Sequence, residues 1–264
     1  MTGLRRYTAG IRSATLAAGL IVPLVAFAEL SEQSMLGPGV RTRPAYDGSD
    51  SRRWEAVPVV RYYGHPWFVR STQGVLEAGA RMALAPGLHA GAQLAYEPGR
   101  KASESDFLRA HSVEDVDRGA SAGVHLEWDH KFGPMPIALL ARARQHTDSD
   151  RGAQVDLRLS VGVFQKGPVG VGVFTQAIWA SGKSTQSFYG ITPPQSAVTG
   201  LPVFDPGSGL RAASVGLLYR VEVSRDWVVV GNLEARRMQG DARDSPLVER
   251  ATNFYAAAGL AYLF

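Results

Sequence analysis

The chain contains no cysteine. No disulfide braces it, and no thiol is available as a nucleophile or as a site of N-terminal acylation. None of its six histidines stands in an HExxH pair, so the common signature of zinc peptidases is missing. Beyond residue 28 no run of eighteen apolar residues occurs, which excludes a second membrane helix. No solenoid-type repeat is present. Excess charge is also lacking. Without its first 28 residues, which hold three arginines and no acid, the chain has 25 basic residues against 24 acidic ones. The sequence pI of about 9.5 therefore belongs largely to the N-terminus. It gives no reason to expect a nucleic-acid partner.

What is there begins with a leader. Arg5, Arg6 and Arg12 precede an apolar stretch from Ala14 to Ala28, and Ala26-Phe27-Ala28 has the small-x-small form of a cleavage site. This predicts a secretory signal peptide over residues 1–28, cut after Ala28, with 29–264 as one exported domain. A membrane anchor is the competing reading, but the apolar core is short and carries Pro23.

The other end, NFYAAAGLAYLF, alternates strictly. Even positions carry Phe254, Ala256, Ala258, Leu260, Tyr262 and Phe264. Period-two alternation over twelve residues is a strand signal. Soluble strands average about five or six residues, whereas a tilted strand crossing a bilayer needs about nine to eleven. A soluble sandwich stays open on this segment alone. Eleven further runs are read at about 34–43, 53–63, 66–71, 74–84, 88–97, 119–130, 136–147, 153–165, 168–179, 211–223 and 226–239. Their connections alternate in character. Gly64-His65-Pro66, Ala85-Pro86-Gly87, residues 131–135, Lys166-Gly167 and residues 224–226 are short and rich in turn formers. Most of the others, above all 98–118, 180–210 and 240–251, are long and polar or proline-rich. Short turns at one end and long loops at the other mark an all-β, transmembrane, antiparallel up-and-down β-barrel of about twelve strands, with ten as the alternative count.

The two faces of each run differ in charge. Val124, Leu126 and Trp128 alternate with His125, Glu127 and Asp129. Leu76, Ala78, Ala80 and Met82 alternate with Glu77 and Arg81. Apolar faces meet lipid, so the lumen should hold Glu77, Arg81, Glu127, Asp129, Arg142, Arg144, Asp156, Arg158, Arg220 and Glu222. Arg142 is expected to pair with Glu127 or Asp129. His125, Glu127 and Asp129 share a face and could form a metal site, but polar lumen lining is the ordinary reading. The Ser181-Gly182-Lys183-Ser184 stretch suggests the end of a phosphate-binding loop. The first glycine of that motif would fall at Ala177, and no helix is expected to follow. No cofactor, metal or catalytic residue is indicated.

Three stretches carry a family resemblance. Pro44, Tyr46, Gly48 and Ser49 stand in P-x-Y-x-G-S-D. Phe188-Tyr189-Gly190-Ile191-Thr192 precedes Ala197-Val198-Thr199-Gly200-Leu201-Pro202. Gly240-Asp241-Ala242 precedes Asp244-Ser245-Pro246-Leu247-Val248. With the terminal strand, these resemble the MipA/OmpV family of outer-membrane proteins. Thr199 departs from the serine expected before Gly-Leu and keeps the hydroxyl. The resemblance implies outer-membrane localisation, contact with outer-membrane lipid and a non-enzymatic role. It further implies a scaffold joining a murein lytic transglycosylase to a bifunctional, penicillin-binding murein synthase. Some relatives look instead like osmotically regulated porins, a small-solute channel being the alternative, or like adhesins. By resemblance to barrels as a class, Leu260, Tyr262 and Phe264 form the signal read by the barrel assembly machinery. In the expected topology Pro44, Tyr46, Gly48, Ser49, Gly200, Leu201, Pro202, Ser245 and Pro246 gather at the long-loop end. There they form either a folded cap or a surface for a ligand or partner. Loop 180–210 is expected to pack across the barrel mouth against the segments around Tyr46 and Pro246, because its aromatic side chains gain nothing in water.

Overall fold

A computed structural model describes residues 33–264 except Gln73. The predicted signal peptide and its cleavage after Ala28 lie outside the described residues. Twelve strands follow one another around a closed antiparallel barrel. They are β1 (Met35–Pro44), β2 (Arg52–Tyr63), β3 (Trp67–Thr72), β4 (Val75–Ala85), β5 (Leu88–Glu97) and β6 (Gly119–Phe132), then β7 (Met135–His146), β8 (Ala153–Lys166), β9 (Val169–Ala180), β10 (Gly209–Glu222), β11 (Trp227–Met238) and β12 (Thr252–Leu263). Each pairs with its chain neighbours, and β12 closes on β1 through pairs such as Met35–Leu263 and Thr42–Ala256. All twelve expected runs are strands, with ends displaced by at most two residues. No helix among the described residues is long and apolar enough to cross a membrane.

Alternation decides which way each side chain points. On β6, Val124 and Leu126 are exposed while His125 and Glu127 are buried. The exposed face carries Trp54, Trp67, Trp179, Trp227, Tyr262 and Phe264. An apolar exterior around a charged interior reverses a soluble protein and suits a bilayer, where ring closure leaves no strand edge to satisfy. The ladder is thinnest between β2 and β3, where Arg61–Tyr63 pair with Phe68–Arg70. There Val60 donates its N–H to Ser71 Oγ (3.1 Å), and Pro58, two residues along the same edge, has no N–H to donate.

At one end the strands join through tight turns. Gly133 and Gly167 sit at φ 59° and 55°, with nothing within 4 Å of the position a Cβ would take. Backbone conformation, not space, requires glycine there. At the other end the loops fold. They hold α1 (Asp106–Ala110), α2 (Gly182–Tyr189), α3 (Pro193–Thr199) and α4 (Gly240–Asp244). Helix α2 corrects the expectation that no helix follows Ser181–Ser184. Ser181 Oγ caps it by accepting from Ser184 N (3.3 Å) and also accepts from Ala153 N (2.9 Å). Ala177 lies within β9, so the stretch is a capped helix start and not a phosphate-binding loop. Helix α3 has a capping box, Thr192 with Gln195, then Pro193 at its first turn and Gly200 at its end with φ 72°.

These loops bring their own core. Ala45, Tyr46, Leu108, Val113, Ile191 and Leu247 are buried together, with Phe107, Leu201 and Phe204 packed against them. Four separate loops contribute, so the mouth of the barrel is roofed by a small folded cap.

Candidate functional site

The structure interlocks all three signature segments, the middle one through Tyr189 and Ile191. Tyr46 Oη donates to Leu247 O (2.8 Å), and the Gly48 carbonyl accepts from Glu249 N and Arg250 N (2.9 Å each). Asn253 ties the first segment to β12, accepting from Gly48 N (2.7 Å) and donating to Ser49 O (2.8 Å). Gly48 has φ 105°, and a Cβ there would meet Val248, which explains its glycine. Ser245 Oγ donates to Tyr189 O (2.6 Å), joining the third segment to the end of α2. Pro44, Tyr46, Gly48, Ser49 and Ser245 are buried, and Pro246 is half-buried. The second half of the middle segment takes a different place. Leu201 packs against the cap core, but Gly200 and Pro202 are exposed. Thr199, the departure from the family pattern, uses its hydroxyl to accept from Leu201 N (3.2 Å).

Below the cap the lumen is crossed by charges. Arg81 pairs with Glu127 (3.3 Å), Glu127 with Arg70, and Arg70 with Glu77 (2.8 Å). Glu77 continues to Arg142, Arg142 to Asp156 (2.8 Å), Asp156 to Arg144 (3.3 Å) and Arg144 to Glu97 (3.3 Å). Four cations and four anions thus alternate from Arg81 to Glu97, supplied by β3 through β8. Glu77 and Asp156 are 0% and 1% exposed, so both carboxylates depend on their arginines. The expected pairing of Arg142 with Glu127 or Asp129 is corrected. Arg142 stands directly opposite Asp156 on β8 and His125 on β6, and its other partner is Glu77. Arg158 stacks over Phe174 (3.7 Å) and donates to Gln176 (3.1 Å). Near the tight-turn end Arg220 pairs with Glu222 (3.2 Å), and Asp129 lines a cavity of about 330 Å³ with Arg61, Arg81 and Glu127. His125 packs edge-on against Phe68 (5.2 Å). Among the described residues no three His, Cys, Asp or Glu side chains are grouped to hold a metal ion.

Above the crossing charges lies a cavity of about 160 Å³, floored by Arg142 and Arg144 and roofed by Tyr46, Phe188 and Tyr189. Asp47 hangs into it from the cap. It pairs with Arg236 (2.9 Å) and accepts from Tyr255. Burial pushes the Asp47 carboxyl up, but Arg236, Arg211 and these hydrogen bonds outweigh it and hold the pKa at about 2. Burial, with nearby Glu249, raises the Tyr46 hydroxyl, and burial beside Asp47 raises that of Tyr189. Both stay neutral hydrogen-bond donors. Sequence reasoning missed Arg100 and Arg151, which line this cavity from loops where no alternation marks a facing side chain. The Thr-Pro-Pro-Gln start of α3 could have been read from its capping pattern.

Leu260, Tyr262 and Phe264 point outward at the tight-turn rim, where Tyr262 packs edge-on against Trp227 (5.5 Å). Outward aromatics at a bilayer boundary suit the interface chemically.

No curated protein matches the chain in sequence. Several solved structures are similar to it at low identity. The COG4313 outer membrane channel from Pseudomonas putida F1 is 11% identical, with TM-score 0.44, over 88% of this chain and 96% of that one. The translocator domain of the autotransporter NalP from Neisseria meningitidis is 11% identical, with TM-score 0.42, over 89% and 90%. LpxR from Salmonella typhimurium is 9% identical, with TM-score 0.41, over 86% and 100%. Likenesses this loose say nothing about what the chain does. The decisive match is to a family described as MltA-interacting protein MipA, whose model spans residues 36–264, and this outer-membrane β-barrel belongs to that family.

Proposed function

We propose that the chain is a non-enzymatic barrel with a shut lumen that holds partners at the outer membrane. As a scaffold it would join a murein lytic transglycosylase to a bifunctional murein synthase. The observation that carries this reading is the alternating run of eight charges from Arg81 to Glu97, which supports a filled lumen. The family description supports a murein-side partner. By the rule for outer-membrane barrels the tight turns face the periplasm. The surface a periplasmic partner can reach there is small. It includes exposed Lys131, Lys166 and Arg225 beside exposed Phe132, Met135 and Phe164. A basic rim with apolar contacts is chemically suited to an acidic, partly apolar patch on a partner.

The test is capture of purified murein transglycosylase by the folded barrel in detergent. The triple variant Lys131→Glu, Lys166→Glu, Arg225→Glu should lose capture while keeping heat-modifiable migration on gels. Equal capture by the variant, or none by the wild type, would remove the scaffold reading. A gated channel is the second reading, favoured by the cavities of about 160 Å³ and 330 Å³ on either side of the crossing charges.

A further inference from the structure

The cap-side cavity holds more positive charge than its carboxylates balance. Arg41 and Arg43 pair with Glu55, Arg142 and Arg144 with Asp156, and Arg236 with Asp47 and Glu234. Arg100, Arg151 and Arg211 line the same cavity and, among the described residues, form no ion pair with a carboxylate. Arg100 donates to the carbonyls of Phe188 and Glu114, the latter at 3.3 Å. Arg151 donates to those of Asp117 (2.6 Å) and Pro98 (3.5 Å). Carbonyls aim a guanidinium without neutralising it. Arg100 and Arg151 are only 5% and 8% exposed, and the Nε of each, like that of Arg211, is buried without a hydrogen-bond partner among the described residues.

The three converge. Arg100 binds the Phe188 carbonyl, Arg151 lies over the Phe188 ring at 5.1 Å, and Arg211 is within electrostatic reach of Tyr189. Carboxylates are near but do not close the account. Glu97, Asp117 and Asp148 act on Arg151 from beyond ion-pair distance, as Asp115 acts on Arg100 and Asp47 on Arg211. Of these, Glu97 and Asp47 already hold Arg144 and Arg236. Buried, unpaired cations are costly, and an anion is the group that offsets the cost.

We propose that this cavity binds a small soluble oxyanion of the phosphate class, held by Arg100, Arg151 and Arg211. A guanidinium presents a planar fork of donors that matches phosphate oxygens. Three guanidiniums lining one cavity fit a group with several acceptor oxygens and more than one negative charge. At about 160 Å³ the cavity has room for several waters, each taking roughly 30 Å³ in the liquid. That accommodates inorganic phosphate or the phosphoryl end of a small solute. The barrel wall and cap enclose the site, which favours a solute over a lipid headgroup.

The refolded barrel in detergent should bind inorganic phosphate saturably by titration calorimetry at concentrations up to about 10 mM, where a millimolar site fills. Arg151→Gln and Arg211→Gln should each weaken binding about tenfold, the cost of one charged hydrogen bond. Arg211→Lys, which keeps the charge, should weaken it less than Arg211→Gln, and Lys183→Gln on the outer loop should change nothing. Heat-modifiable migration reports whether each variant has folded. No saturable binding by folded wild type, equal binding by folded glutamine variants, or full competition by equimolar chloride would overturn the proposal. None of these readouts involves a murein enzyme, so the outcome is independent of the scaffold reading.

Discussion

The two layers of the lumen use the same side chains to opposite ends. In the mid-barrel layer four arginines and four carboxylates alternate, each charge touching the next, with Glu77 and Asp156 sealed from solvent. In the layer under the cap, Arg100, Arg151 and Arg211 line a cavity without carboxylate partners among the described residues. The difference follows from what each layer hangs on. The lower charges stand on paired strands, where the register fixes one residue opposite another, as Arg142 faces Asp156. Arg100 and Arg151 stand on loops, and Arg211 at a register shift in β10, outside the regular ladder. A ladder can bring opposite charges into contact row by row, and that fills a lumen. Loops can leave a charge aimed at a space.

The largest effect should come from breaking the balanced layer. Arg142→Ala leaves Glu77 and Asp156 buried without one of their cations, which should cost about 3–5 kcal/mol. Urea unfolding in detergent measures it, and an effect under about 1 kcal/mol would mean that water fills the layer as at a protein surface. In the cap, Tyr46→Phe removes the donor to Leu247 O and strands a buried carbonyl. The expected loss is about 1–2 kcal/mol. It should appear as faster cleavage of the loops by protease, with the barrel's migration unchanged.

Acid offers a graded test of the same contrast. The folded Asp47 carboxyl, held at about 2, lies below its ordinary value of 3.8. A depressed carboxyl contributes stability that is complete above about pH 4 and lost as pH falls toward 2. Loop proteolysis by an acid-active protease should therefore accelerate between pH 4 and 2 in the wild type, and Asp47→Asn should flatten that dependence. The smallest effect belongs to the outer surface. Lys183 and Asp150 are 3.6 Å apart and 64% and 88% exposed. Lys183→Ala should change stability by less than about 0.5 kcal/mol.

The barrel was readable in the sequence because lipid enforces a rule at every second residue. Even the short β3, Trp67–Thr72, showed its alternation, and the lumen charges fell on the inward face. Their partners were not readable. Alternation places Arg142 on a face, but which carboxylate it meets depends on stagger between strands, and Glu77 lies three strands away from it. The cap helices escaped because five to eight residues hold too few turns for a helical period to emerge. Their signals are local instead. Ser181 and Ser105 at N-caps and Thr192 with Gln195 are visible as capping residues once sought. Arg100 and Arg151 carry no pattern at all, since a lone arginine in a loop reads as solvated.

Single-channel recording of the refolded barrel in planar bilayers tests the central claim, that the balanced layer shuts the lumen. The wild type should show no resolved conductance steps, and Arg142→Ala, if folded, should show them. Steady steps from the wild type would contradict the account and put a water-filled pore in place of the ion-paired plug.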